Sequence, residues 1–181
     1  MQEDPAGTGS IGFFCWQISS DWLSKGFLSR GGIASGKLLH RPNKDGAAII
    51  FGPAFINAYK LESEVADFPR IIFSKEVREA YAALDGTAFP EGSHCQDVIR
   101  ATVTRFSDGP TGIDIFAHLQ DNGFDRSTQR YQADAAQYRA ALLAHVSNAT
   151  DMPHFFRKVR WLVERFNQAI LRTTYADQHL D

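Results

Sequence analysis

Residues 26–40, GFLSRGGIASGKLLH, and residues 49–71, IIFGPAFINAYKLESEVADFPRI, decide how this chain reads. The first has the glycine punctuation and partial alternation of a strand over 27–40 whose backbone closely approaches another element. RPNKDG at 41–46 is a turn cluster, and residues 47–51 return as a second strand. Gly52-Pro53 opens a helix, with proline at the first helical position where its missing N–H costs nothing. That helix is expected to run to about Ala66, with Ala54, Ala58, Leu61 and Val65 on its inner face and Lys60, Glu62, Glu64 and Asp67 mostly solvated. Pro69 bars its continuation, and residues 70–73 are apolar and β-branched enough for a buried strand.

Upstream, Ile11, Phe14, Cys15, Ile18 and Trp22 recur at three and four residues, which predicts a helix of about four turns with one apolar stripe, ended by Gly26. Downstream come a helix over 75–84, a polar loop over 85–96, and a hairpin of 98–106 and 111–117 around Ser107-Asp108-Gly109-Pro110. The remainder changes character. Tyr131, Ala135, Tyr138, Leu142 and Val146 form one helical stripe, and Phe155, Val159, Leu162, Phe166 and Ile170 form another. Separated by 148–153, the two helices read as an antiparallel pair packed on the sheet or on a partner chain. The fold class is α+β. Residues 1–125 hold the sheet domain, and 126–181 hold the helical pair packed on it.

Composition narrows the function classes. With 181 residues and 44% hydrophobic content the chain can bury a real core. Its net charge of −2 comes from interspersed acids and bases, so no basic surface favours nucleic acid or an anionic membrane. Cys15 and Cys95 have neither CxxC spacing nor a disulfide framework and read as buried thiols of a reduced protein. No apolar run reaches the ~18 residues of a membrane helix, and MQEDPAG is not a signal peptide. A cytoplasmic location is expected.

Other chemistry has little support. The six histidines, at 40, 94, 118, 145, 154 and 179, lack HxH or HxxxH spacing, which speaks against a metal cluster. Arg30-Gly31-Gly32 lacks the GxxxxGK[ST] pattern, and Ser10 and Ser35 lack a G-x-S-x-G elbow. Asp108, Asp114, Asp121 and Asp125 read as solvated turn carboxylates.

RGGIxxGxLxH followed by FGPAFxxAYxLESxxAxxPRI resembles the bacterial pyrimidine cyclases of anti-phage signalling, a branch of the class III nucleotide cyclases. IDIF at 113–116 and FFRKVRWLVERFN at 155–167 are similar to that family's closing hairpin and C-terminal helix, so the resemblance spans roughly residues 10–170. It implies a ferredoxin-like antiparallel sheet, used as a head-to-tail homodimer with active sites at the interface. It also implies closure of a cytidine or uridine triphosphate: the ribose 3′-hydroxyl attacks the α-phosphate, pyrophosphate leaves, and cyclic CMP or cyclic UMP signals to an effector protein. The family uses two divalent ions, Mn²⁺ or Mg²⁺, held by two aspartates. One is on its first strand and the other on a hairpin before the helix that residues 11–22 match. The resemblance thus implies a domain incomplete at its N-terminus, without the metal ligands. Asp4 is near the second place but on its wrong side.

The resemblance carries few site residues over. Counting from Gly52, Ile56 and Lys60 occupy the places where many class III enzymes put a ribose-orienting Asn and a transition-state Arg. Isoleucine forms no hydrogen bond through its side chain, and Lys offers a point charge instead of a planar fork. Lys60 reads either as a phosphate neutraliser or as a solvated helix lysine. Asn57 is one residue off, about 100° around the helix. Pro53 takes the place of the base-selecting polar residue of purine cyclases, in agreement with the pyrimidine branch.

Overall fold

A computed structural model of the chain describes residues 5–42, 48–83, 101–120 and 128–181. Asp4, Cys95, Asp121, Asp125 and the loop expected at 85–96 lie outside the described residues. Among the described residues the chain is α+β, with five helices and a mixed four-stranded sheet. In chain order the elements are α1 (Pro5–Ser24), β1 (Gly31–Ile33), β2 (Leu39–Pro42), β3 (Ala48–Phe51), α2 (Pro53–Lys60), β4 (Ile71–Phe73), α3 (Lys75–Ala82), β5 (Val103–Arg105), β6 (Thr111–Ile113), α4 (Thr128–Ala149) and α5 (Pro153–Ile170). No described helix is long and apolar enough to cross a membrane.

The sheet order is β1-β4-β6-β5. β1 runs parallel to β4 with Gly32 opposite Ile72, while β4–β6 and β5–β6 are antiparallel. An entirely antiparallel sheet was the expectation; the parallel pair arises because the chain returns to β4 through α2, a crossover that reverses direction twice. Residues 27–40 do not form one strand. The run breaks at Gly36, whose φ of 149° suits glycine, and restarts as β2, which pairs only with β3. The hairpin turns where expected, at Gly109 with φ 110°, but its strands are shorter than the expected 98–106 and 111–117: residues 101–102 are helical, β5 and β6 have three residues each, and Ala117 opens a 3-10 turn.

The two faces of the sheet carry different cores. On one, Ile33, Ile71, Phe73 and Ile113 pack with Trp16 of α1 and Val77 of α3. On the other, Ile72 packs with Ala66, Phe106, Leu61 and Trp161. Ser74 caps α3, its hydroxyl accepting from Val77 N–H. The stripes read for α4 and α5 meet each other, with Tyr138 and Leu142 against Val159, Leu162 and Phe166, and Phe116 and Leu119 complete this largest core. Each such side chain contributes about 1.5–3 kcal/mol on burial.

Two helices differ from their periodicity. α1 turns Ile11, Phe14, Ile18 and Trp22 toward solvent and buries Trp16, Ser19, Ser20 and Leu23 instead. In IGFFCWQISSDWL nearly every face of the helix has apolar residues, so spacing alone cannot select the inner one. The helix expected to end near Ala66 is α-helical only to Lys60 and continues as a π turn over Leu61–Val65. The wider turn moves the inner face on by one residue, so Ala66 is buried and Val65 exposed.

Candidate functional site

α2 begins where β3 must turn sharply into a helix, and Gly52 makes that turn at φ 144°. A Cβ there would sit 2.5 Å from Lys37 O and 3.2 Å from the Leu38 Cα, so only glycine fits. Ala54 N–H donates to Lys37 O at 3.3 Å, and Ile56 N–H donates to Gly52 O at 3.1 Å. The helix start is thus bound to the chain entering the β2–β3 hairpin. Gly32 performs a similar service below. A Cβ on it would lie 2.5 Å from Ala58 O and 2.7 Å from Leu61 Cβ, so the Arg30-Gly31-Gly32 glycines bring α2 down onto β1 and do not cradle a phosphate.

The four candidate site residues, Pro53, Ile56, Asn57 and Lys60, are all exposed on α2. Their spacing of three, four and seven places them along one broad outward side of the helix. Phe55 and Tyr59, also exposed, extend this surface with apolar area. Arg30 closes one end, its Nε donating to Glu62 Oε1 at 2.6 Å. The surface therefore offers the ammonium of Lys60, a carboxamide at Asn57 and apolar contact.

The described residues do not form a two-ion centre. Among the described residues no three His, Cys, Asp or Glu side chains converge. Asp108 and Asp114 both serve ion pairs; Asp108 is the exposed turn residue that was expected, whereas Asp114 is buried. Asp108 accepts from both Arg70 terminal nitrogens at 2.7 and 2.6 Å, while Asp114, itself buried, pairs with Arg165 and accepts from Phe116 N–H at 3.1 Å. The hydrogen bonds from Arg70 hold the Asp108 carboxyl below the usual carboxylate range. Asp114 had a sequence signal: it is flanked by Ile113 and Ile115, an apolar setting that a solvated carboxylate rarely has.

Two other titratable groups have burial as the leading cause of their shifts. Cys15, expected to be buried, is only partly so; its thiol is pushed up, and the Tyr81 hydroxyl is pushed up to about 12.

Comparison with known proteins finds no matching family model, no matching curated protein and no matching solved structure.

Proposed function

We propose that this chain is the interface half of a class III nucleotide cyclase-type domain of the pyrimidine branch. With the metal-holding part supplied, it converts cytidine or uridine triphosphate to a 3′,5′-cyclic nucleotide and pyrophosphate. In this reading the ferredoxin-like sheet is completed by one further strand, the active assembly is a homodimer, and the cyclic product acts in the cytoplasm on a sensing effector protein.

The observation that carries the reading is that β1 is, among the described residues, an edge strand of the four-stranded sheet. Gly31 N–H donates to Arg70 O at 3.1 Å and Ile33 O accepts from Ser74 N–H at 2.9 Å, so both residues turn their backbone groups toward β4. Gly32, between them, faces its N–H and C=O outward, away from the sheet. An edge strand whose outward backbone groups have no strand partner is a template for an added strand. The first strand of the family, with its metal-binding aspartate, is the missing element on this reading, and Lys60 then neutralises a substrate phosphate from the α2 side.

A second reading is a catalytically silent domain that dimerises or binds nucleotide. The exposed Ile56 favours it, because its side chain has no group to orient a ribose.

Incubation with each of the four nucleoside triphosphates and Mn²⁺ separates the readings. The 181 residues alone are expected to yield no cyclic product. The chain joined to the residues encoded immediately upstream is expected to yield cyclic CMP or cyclic UMP. Product from the 181 residues alone contradicts the need for a supplied metal side. No product from the joined chain, or a stop codon directly upstream, overturns the cyclase reading in favour of the silent domain.

A further inference from the structure

Beyond α5 the chain turns, with Thr173 N–H and the Thr173 hydroxyl both donating to Ile170 O, and then lies against the helical pair as residues 175–181. One 3-10 turn, Ala176–Gln178, falls within this tail. Tyr175 and Leu180 are buried and belong to the largest core, while Thr174, Asp177, His179 and Asp181 are exposed. The tail therefore has two side-chain anchors, five residues apart, and a solvated remainder.

Its backbone is held from separate elements. Asn167 of α5 donates from Nδ2 to Leu180 O at 2.7 Å and accepts from Leu180 N–H at 2.9 Å. The carboxamide thus pairs with both backbone groups of one residue, as a neighbouring strand would. Arg139 of α4 donates from Nε to Gln178 O at 3.1 Å. The Tyr175 hydroxyl donates to Leu119 O, in the 3-10 turn over Ala117–Leu119. Backbone capture together with two side-chain anchors is the chemistry by which a folded domain recognises a peptide. Two anchors and these hydrogen bonds are opposed by the entropy of ordering a mostly irregular run. The helical pair meets through Tyr138, Leu142, Val159, Leu162 and Phe166, side chains outside the tail, so opening the tail leaves that packing in place.

We propose that residues 175–181 are a latch that undocks as one unit while the helical pair stays folded. The site it leaves takes a peptide bearing a tyrosine and, five residues on, an aliphatic side chain. Being covalently attached, the tail is present at high effective concentration, so it closes the site to such a peptide until it is released. The inference is independent of the nucleotide chemistry.

Two measurements on the full chain test it. The amides of Gln178, His179 and Leu180 donate to Tyr175 O, Ala176 O and Asn167 Oδ1. In hydrogen exchange these three are expected to share one protection factor, about 100-fold or more below that of Leu162 and Val163 in α5. Protection equal to α5 makes the tail part of the core and overturns the latch. Three different protection factors overturn it too, because they describe fraying from the end.

The second measurement is fluorescence anisotropy of a labelled peptide with the sequence of residues 173–181. Saturable binding is expected to the Leu180→Asp chain, whose own tail cannot dock, and binding roughly 100-fold weaker to the wild type. The same peptide carrying Leu180→Asp is expected to bind neither. No binding by a folded Leu180→Asp chain, or equal binding by the wild type, overturns the inference. Where Leu180→Asp loses the far-ultraviolet spectrum of the wild type, Tyr175→Ala takes its place. Loss of the spectrum in both shows that the tail is needed for folding, and the latch is overturned.

Discussion

Replacing Asp108 by alanine is expected to lower the unfolding free energy by about 3 kcal/mol. Arg70 has only 2% of its side chain exposed, and both of its terminal nitrogens end on Asp108. Its guanidinium stands 4.9 Å from the Phe106 ring centre, 5.3 Å from Phe68 and 5.4 Å from Trp161, while Nε donates to Ala66 O. Removing the carboxylate leaves a cation enclosed by rings, a situation that costs roughly 3–5 kcal/mol. The rings return an attraction of only about 0.5–2 kcal/mol, and they do so already in the native pair. The lower end applies because Asp108 is 40% exposed and water can reach the vacated place. Urea denaturation checks the value, and Arg70→Met with Asp108→Ala is expected to recover most of the loss.

The pH dependence has a definite sign. The folded carboxyl of Asp108 is held below its unfolded value, so its contribution is fully present above the unfolded carboxyl range of about 3.9 and is lost as pH falls through the folded value. The gap between wild type and the Asp108→Ala variant therefore narrows in acid. A difference below about 1 kcal/mol at neutral pH would show that Arg70 is satisfied by other means.

Gly112→Ala is expected to cost about 4 kcal/mol or to prevent folding, beyond the ~1–3 kcal/mol of ordinary overpacking. The added Cβ would collide with Ile71 O and lie 2.9 Å from Ile72 Cα. Both obstacles are backbone of β4, held in register with β6 by the Ile71–Ile113 and Ile72–Gly112 pairs. Moving them would separate β6 from the centre of the sheet. Gly109→Ala is the matched control. Its φ of 110° makes a side chain strained, yet nothing lies within 4 Å of the new atom, so about 1–2 kcal/mol is expected. Equal losses in the two variants, measured by thermal melting, would contradict the close β4–β6 approach.

These particulars explain what the sequence could and could not disclose. Turn chemistry and strong periodicity were legible: Gly52-Pro53 starts a helix, Gly109 turns a hairpin, and the α4 and α5 stripes meet in one core. Three features needed the tertiary structure. The inner face of α1 was ambiguous because apolar residues surround that helix, and the π turn at 61–65 has no spacing signature in a chain read at the α period. The parallel β1–β4 pair joins residues about forty apart, which local patterning does not reach. At the candidate site, Pro53, Ile56, Asn57 and Lys60 are exposed on α2, and the ion-pair duties of Asp108 and Asp114 depend on Arg70 and Arg165, partners distant in sequence.

The proposal that a further strand joins β1, an edge strand among the described residues, is tested most directly by amide hydrogen exchange at Gly32. In the 181-residue chain the Gly32 N–H is expected to exchange at the rate of an exposed amide, while Gly31, which donates to Arg70 O, is protected. Joined to the residues encoded upstream, the chain is expected to protect Gly32 as strongly as Gly31. A Gly32 amide already protected in the shorter chain, or one left unprotected in the longer chain, would contradict the account.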